Sequence, residues 1–252
     1  LYIMILIKIE AKQNAPDKIM KKNKPSIVCE IGLNHLGKKE YLLKYLKIKN
    51  VDALTIQIVP NQLLKGNLKK CKLDMNDISD FINLVKKSNK KIGIALVDHT
   101  LVDFFKKKRV DFYKVLSRDL KNKLLIQKLI KTNKKVFLST GTSSFKEIKD
   151  VLKKINTKKI ELIHTSFNKK LSKINFKRIQ ELKNNFKLPV SYGSHSPYLD
   201  TIPLSIHYNP SSIFFYVKLN DKLDYPDNHH AVKVKDIKKI LNNIDFNHQI
   251  IE

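Results

Sequence analysis

The sequence predicts an α/β chain folded as a single-domain (β/α)8 TIM barrel. Short β-rich runs alternate with longer amphipathic stretches, which implies a parallel sheet with crossover helices. About eight such units fit in 252 residues, a usual length for a one-domain barrel. Polar residues recur at the carboxyl ends of the runs, at Glu30, Gln57, Ser117, Ser139, His164 and His195. In a barrel those ends converge on one mouth, where active sites are built. In the alternative, a doubly wound open sheet, they would be strung along an edge.

The candidate strands are SIVCEI (26–31), ALTIQIV (53–59), KIGIALV (91–97), VDFYKVL (110–116), KVFLST (135–140), IELIHT (160–165), PVSYGS (189–194) and SIFFYV (212–217). Most are continuously apolar, as parallel strands covered on both faces should be. Between them KEYLLKYLKIKN, DISDFINLVKKSNK, NKLLIQKLIKTNK, SFKEIKDVLKKI and NFKRIQELKNNF carry apolar residues near helical spacing. The weakest helical signal follows the seventh strand, where SPYLDTIPLSIHYNP is broken by prolines. No low-complexity linker or internal repeat divides the chain. It reads as an N-terminal extension, 1–25, followed by the barrel, 26–252.

The net charge is +27, from 50 Lys and Arg against 23 Asp and Glu. A charge of that size raises nucleic acid or an anionic membrane as a partner. The cations are nearly all Lys, travel with Asn and Ile along the whole chain, and gather in no basic arm. No RNP-type aromatic motif or zinc knuckle accompanies them. They read as the compositional drift of an AT-rich coding sequence, and neither a nucleic-acid nor a membrane partner is expected. Cys29 and Cys71, the only cysteines, form no C-x-x-C pair. That speaks against a disulfide framework or a zinc site and fits a cytoplasmic location. The opening run, LYIMILIKIE, is too short to span a bilayer and lacks the basic start and small-residue cleavage site of a signal peptide. It reads as an N-terminal strand or barrel plug.

The strand ends carry the chemistry. Glu30, with Asn34 and His35 just beyond it, can accept hydroxyl hydrogens from a sugar or act as a base. The fourth strand brings Lys114, Ser117 and Asp119. An ammonium at a strand end with a serine beside it suits a phosphate or carboxylate, a snorkelling surface lysine being the other reading. The fifth strand ends in LSTGTSSFKE, which turns backbone N–H groups toward the mouth, an anion-binding geometry. The same stretch is a capped helix start with Ser143 or Ser144 as the cap. The seventh ends in SYGSHSP and presents His195, a metal ligand, an acid/base group or a structural histidine. DNHH (227–230) adds Asp227, His229 and His230 beyond the eighth strand. His164, His229 and Asp227 are the candidates for a second metal ligand beside His195.

In this order the pieces resemble the sialic acid synthase family, the N-acetylneuraminate synthases with their legionaminate and pseudaminate relatives. The likeness runs from about residue 26 to 243. CEIGLNHLG is similar to the family's first-strand E-I-G-x-N-H-x-G and is the most specific piece. VDALTIQ, DFYKVLSRDLKN, KVFLSTGTSSFKEI, IELIHTS and PVSYGSHS resemble later strand motifs, and DNHHAV echoes D-H-x-x-S. The resemblance implies a barrel that condenses phosphoenolpyruvate with an N-acetylated hexosamine aldehyde in surface-polysaccharide biosynthesis, with Mn or Mg activating the aldehyde. A homodimer is compatible with it. On matching positions, Glu30 contacts the amino sugar, and Asn34 and Gln57 are substrate-binding. Lys114, Ser117 and Ser139 bind phosphoenolpyruvate, Asp119 lies near the reacting carbons, and His195 is one metal ligand.

The chain also departs from the family pattern. The second-strand phosphoenolpyruvate lysine is Thr55, and Tyr216 takes the place of the second metal histidine. Gly193 and Ser194 replace a Ser-Asp pair, and Phe167 and Asn168 stand near an absent asparagine–tyrosine pair. No counterpart of the antifreeze-like domain, whose arginine reaches a partner subunit's site, lies within the 252 residues. One imidazole with waters holds Mn weakly, and a lost phosphate lysine removes a charge-assisted contact of roughly 1.5–3 kcal/mol. The alternative to a divergent synthase is a catalytically degenerate barrel of the same descent that binds a sugar or a partner protein.

Overall fold

The first strand shows why the chain closes on itself. β1 (Ser26–Gly32) turns Ile27, Cys29 and Ile31 to one side and Val28 and Glu30 to the other, and all five are buried. A strand buried on both faces must also satisfy both of its edges. β1 does so with β2 (Ala53–Ile58) along one edge and β8 (Ser212–Lys218) along the other. Between those two run β3 (Lys91–Leu96), β4 (Phe112–Val115), β5 (Lys135–Ser139), β6 (Ile160–Ser166) and β7 (Val190–Ser194), each parallel to the last. The β1–β8 pairing completes an eight-stranded parallel barrel, and a short β9 (Val232–Lys233) extends β8 in the loop beyond it. This computed structural model describes residues 24–251. The N-terminal strand or plug expected in the extension falls in residues 1–23, outside the described residues.

Eight α-helices are seen among the described residues. Five predicted segments form α1 (Lys39–Tyr45), α2 (Met75–Lys87), α4 (Lys123–Lys131), α5 (Phe145–Leu152) and α6 (Lys177–Phe186). α3 (Val102–Lys107) and α8 (Ile237–Ile251) lie outside the expected segments, although α8 buries Ile237, Ile240, Leu241 and Ile244 at helical spacing. The proline-broken stretch gives α7 (Thr201–Leu204), which contains Pro203 and passes at once into a 3-10 turn at Ser205–Tyr208. Helix starts are capped from the sequence. Asp74 accepts the Asn76 N–H before α2, Asn122 accepts the Leu125 N–H before α4, and Ser144 and Glu147 form a reciprocal capping box at α5. Asn50, Asn89, Asn133 and Asn209 take left-handed backbone conformations in the turns between elements. Asparagine tolerates that region better than most residues, so the Asn-rich composition has a local use.

Alternation along the strands sorts the core into two shells. The outer shell lies between strands and helices and includes Leu54, Ile94, Val115, Leu138, Leu162 and Phe215. The inner shell is Val28, Ala53, Phe112, Phe137, Ile163 and Phe214. Its aromatic rings meet edge to face, Phe112 on Phe137 at 5.1 Å and Phe137 on Phe214 at 5.0 Å. Each buried phenylalanine contributes roughly 1.5–3 kcal/mol, so the barrel axis is a packed plug and not a pore. Below the plug, buried Glu161 receives Lys135 at 2.6 Å and the Ser191 hydroxyl. Above it, one residue further along each strand's inner face, the lining turns polar: Glu30, Thr55, Lys114, Ser139, Thr165 and Tyr216.

Candidate active site at the barrel mouth

Glu30 sits at the centre of that polar layer. Its register neighbours are Thr55 on β2 and Tyr216 on β8. The Lys114 ammonium reaches across from β4 and donates to the Glu30 carboxylate. Both side chains are almost wholly buried, at 4% and 3% exposure, so the lysine does not snorkel to the surface. Lys114 also lies 5.6 Å from the Tyr216 ring and 5.7 Å from the Phe214 ring. Burial holds the Tyr216 hydroxyl well above its usual pKa, helped by the Glu30 and Asp227 charges. The phenol is therefore neutral and a donor. Just past Glu30 the strand register shifts, and Gly32 takes a φ of +56°. A Cβ there would fall 2.6 Å from the Tyr216 ring and 3.0 Å from the Asp227 carboxylate, so glycine serves both the backbone and the space.

Rings pack beside the ion pair. His195 meets Tyr216 edge to face at 5.1 Å, Phe167 at 4.8 Å and His230 at 4.6 Å. His230 meets Tyr216 at 4.9 Å. Burial lowers the His195 pKa to about 2, with His230 and Lys114 adding to the effect. Burial likewise lowers that of His230 to about 4. Both imidazoles are neutral near pH 7. Asp227 lies 3.8 Å from His230, and its pKa is raised to about 7, first by burial and then by the Glu30 charge.

The remaining predicted residues divide into two groups. Ser139, on the inner face of β5, has a hydroxyl without a hydrogen-bond partner. Asp119 has one carboxylate oxygen without a hydrogen-bond partner, 3.6 Å from the Arg118 guanidinium, and burial raises its pKa. Ser117 is tied to the β5 turn: its hydroxyl accepts the Gly141 N–H at 3.2 Å, and its carbonyl accepts the Thr142 hydroxyl at 3.2 Å. Asn34 is fully buried and faces backbone. Its amide donates to Val217 at 2.9 Å, its side-chain oxygen accepts the Asp227 N–H at 3.2 Å, and its carbonyl accepts the Tyr45 hydroxyl at 3.1 Å. Gln57 is half-buried on the rim, where with His35, Cys71 and Asp98 it lines a cavity of about 240 Å³. His35 accepts the Gly37 N–H through Nδ1, and its Nε2 has no partner.

Two expectations about the histidines are corrected. His164 does not face the mouth. Ile163 points inward on β6, so His164 points outward, 6.4 Å from the Tyr192 ring in the outer shell. His229 is exposed and lines a surface depression with Lys70 and Asp224. The imidazole that reaches His195 is His230. Even so, among the described residues no three His, Cys, Asp or Glu side chains are arranged to hold a metal ion. The His195 and His230 rings lie 30° from parallel, with Tyr216 wedged against both. A ring nitrogen binds metal in the ring plane, and protein-held divalent ions gather several ligands. This donor set does not fit a divalent cation.

A barrel with this mouth is matched by a family model described as the NeuB family over residues 19–251. The chain belongs to the NeuB family. An uncharacterized protein of Methanocaldococcus jannaschii is 28% identical over 246 residues, covering 90% of this chain and 72% of that protein. The N,N'-diacetyllegionaminic acid synthase of Campylobacter jejuni is 24% identical over 252 residues, covering 88% of this chain and 75% of the enzyme. Among solved structures, the N-acetylneuraminic acid synthetase of Leptospira borgpetersenii, in complex with citrate, superimposes with a TM-score of 0.84 at 21% identity. That match covers 91% of this chain and 86% of the other, a likeness of fold. No helix among the described residues is long and apolar enough to cross a membrane.

Within this NeuB-family barrel, His230 and Tyr216 are the mouth residues that reading strand ends under-weighted. Tyr216 carries a usable signal, since it shares the inward parity of Phe214 two residues earlier. His230 is marked only by the DNHH run, which does not separate it from His229, and it arrives on the loop that Lys218 pins through the Asn228 carbonyl and side chain.

Proposed function

We propose that the chain is a sialic-acid-synthase-like transferase that condenses phosphoenolpyruvate with the aldehyde of an N-acetylated hexosamine, in the synthesis of a surface polysaccharide. The observation that carries this reading is the buried Lys114–Glu30 pair at the mouth of a NeuB-family barrel, beside the unpartnered Ser139 hydroxyl. Lys114 is the cation an incoming phosphate or carboxylate would recruit, with Ser139 fixing its orientation and Ser117 beside it. As Lys114 turns one of its three donors to that anion, the Glu30 carboxylate gains capacity to accept sugar hydroxyls, and the ammonium keeps a hydrogen for an oxygen lying beside that carboxylate. Gln57 stands two residues beyond Thr55, the register partner of Glu30, on the same inner face of β2. Carbon 3 of phosphoenolpyruvate then attacks the aldehyde carbon, water adds at carbon 2, and phosphate leaves. Asp119, raised by burial, is the group suited to handling the proton of that water.

A second reading has its own support. The polar centre is already satisfied within the protein, and Tyr216, His195 and His230 fill the space beside it. A barrel that binds a sugar without turning it over would look the same at these positions.

The test is phosphate release from phosphoenolpyruvate over a panel of N-acetylated hexosamines. The synthase reading expects release that depends on the sugar and is lost in Lys114→Met. Thermal stabilisation by an amino sugar with no phosphate release would favour the second reading.

A further inference from the structure

We propose that Tyr216 has replaced the divalent ion at this mouth, its hydroxyl acting with the Lys114 ammonium as the donor pair that polarises a substrate carbonyl, so that the site works without metal. The inference rests on the condensation reading above and departs from what the family resemblance implies about a metal.

Three observations converge on it. Tyr216 is the register partner of Glu30 on the inner face of β8, the position at which the family resemblance expects the second metal histidine. The rings of His195 and His230 both pack on it, and with it in place no three-ligand set forms. Gly32, which its left-handed backbone already requires to be glycine, leaves open the space that the phenol ring fills, since a Cβ there would fall 2.6 Å from it. The phenol and the ammonium flank one group, the Glu30 carboxylate, Lys114 by a hydrogen bond and Tyr216 as its register partner. A carbonyl oxygen that takes a position beside that carboxylate meets both donors. Burial keeps the phenol protonated, as a donor must be.

The step balances without a further reactant. The carbon 3–carbon 1 bond forms, and the aldehyde π electrons move to oxygen, which takes the Tyr216 proton. Water gives its hydroxyl to carbon 2 and its proton returns to the tyrosinate, directly or through Asp119. The carbon 2–O–phosphate bond then breaks, phosphate carries away the proton of the new hydroxyl, and a ketone remains.

The decisive experiment titrates manganese into the full chain and follows the free-ion signal by electron paramagnetic resonance. The wild type is expected to leave that signal undiminished, while Tyr216→His, which adds a third imidazole beside His195 and His230, is expected to deplete it at one ion per chain. One-to-one depletion by the wild type, abolished in His195→Ala, would overturn the proposal. In the turnover arm, phosphate release is expected to survive EDTA. Tyr216→Phe, checked for an unchanged melting curve, should lower kcat at least 100-fold with KM for phosphoenolpyruvate within threefold. Release abolished by EDTA, or untouched in Tyr216→Phe, would also overturn it. A chain that releases no phosphate under any condition fails the condensation reading and the proton transfer with it. The manganese titration then still decides whether Tyr216 has replaced the ion.

Discussion

Glu30 and Tyr216 are register partners across the β1–β8 seam that closes the barrel, which sets the phenol beside the carboxylate that Lys114 holds. β8, the last barrel strand in sequence, thus places a phenol beside the first strand's inward carboxylate, so the seam that closes the barrel also builds the site and bears on stability as well as chemistry.

The first consequence concerns the ion pair. Removing one partner of a buried pair strands the other charge, at a cost of about 3–5 kcal/mol. Lys114→Met should therefore destabilise the chain by that order in urea denaturation. Lys114→Met with Glu30→Gln removes the stranded charge, leaves a Tyr216 partner and should recover most of the loss. A double variant no more stable than the single one would mean that packing around Lys114, not its charge, holds the mouth.

Much of this mouth was legible before the fold was known. Runs such as IELIHT are apolar enough to be strands covered on both sides, and eight of them dictate a barrel. Glu30, Lys114 and Ser139 then fall on the inner face by parity with Val28, Phe112 and Phe137. The same parity turns His164 outward, a step that needs its neighbour Ile163 to be assigned first. His230 reaches His195 only through a return loop after β8, which no local pattern announces. α3 is only six residues long after a 3-10 turn, too short for helical periodicity to register.

Gly32 yields a prediction with two separable parts. Gly32→Ala forces a β-carbon into a left-handed backbone, at about 1 kcal/mol or more, and into contact with Tyr216. A loss of about 2–4 kcal/mol is expected from cavity-free overpacking plus strain. Tyr216→Leu in the same chain should relieve the steric part and leave the backbone part. Calorimetric melts of the two single variants and the double variant measure the coupling, and strict additivity would disprove the contact.

Two buried groups pull the pH dependence in opposite directions. Asp227 has a folded pKa raised to about 7, so its contribution is full below the unfolded value and is lost as pH rises toward 7. His164 has a folded pKa lowered to about 4 by burial, so its contribution is full above about pH 6.5 and is lost as pH falls below it. Asp227→Asn, which cannot ionise, should raise the melting temperature relative to wild type at pH 8 and lose most of that advantage at pH 5. His164→Leu should lessen the drop in stability between pH 7 and pH 5. Melting curves of both variants at the three pH values test the signs. An Asp227→Asn advantage that grows toward pH 5 would contradict the burial of a neutral carboxyl.

Asn34 carries the last prediction, because the same residue was read as a sugar contact from sequence and is found clamping backbone. Its amide joins β8 at Val217 to the loop at Asp227, and so sets where Asp227 and His230 sit relative to Tyr216. Asn34→Ala leaves a buried carbonyl and N–H without partners, each worth about 1–3 kcal/mol. A loss of about 2–4 kcal/mol is expected, with faster hydrogen exchange at the Asp227 amide. Asn34→Asp keeps an acceptor for Asp227 but offers Val217 no donor, and it adds a charge beside two carboxylates. It should restore protection at Asp227 no more than in part and remain unstable near neutral pH. If exchange at Asp227 is unchanged in Asn34→Ala while sugar binding is lost, Asn34 acts on the ligand directly and the clamp is incidental.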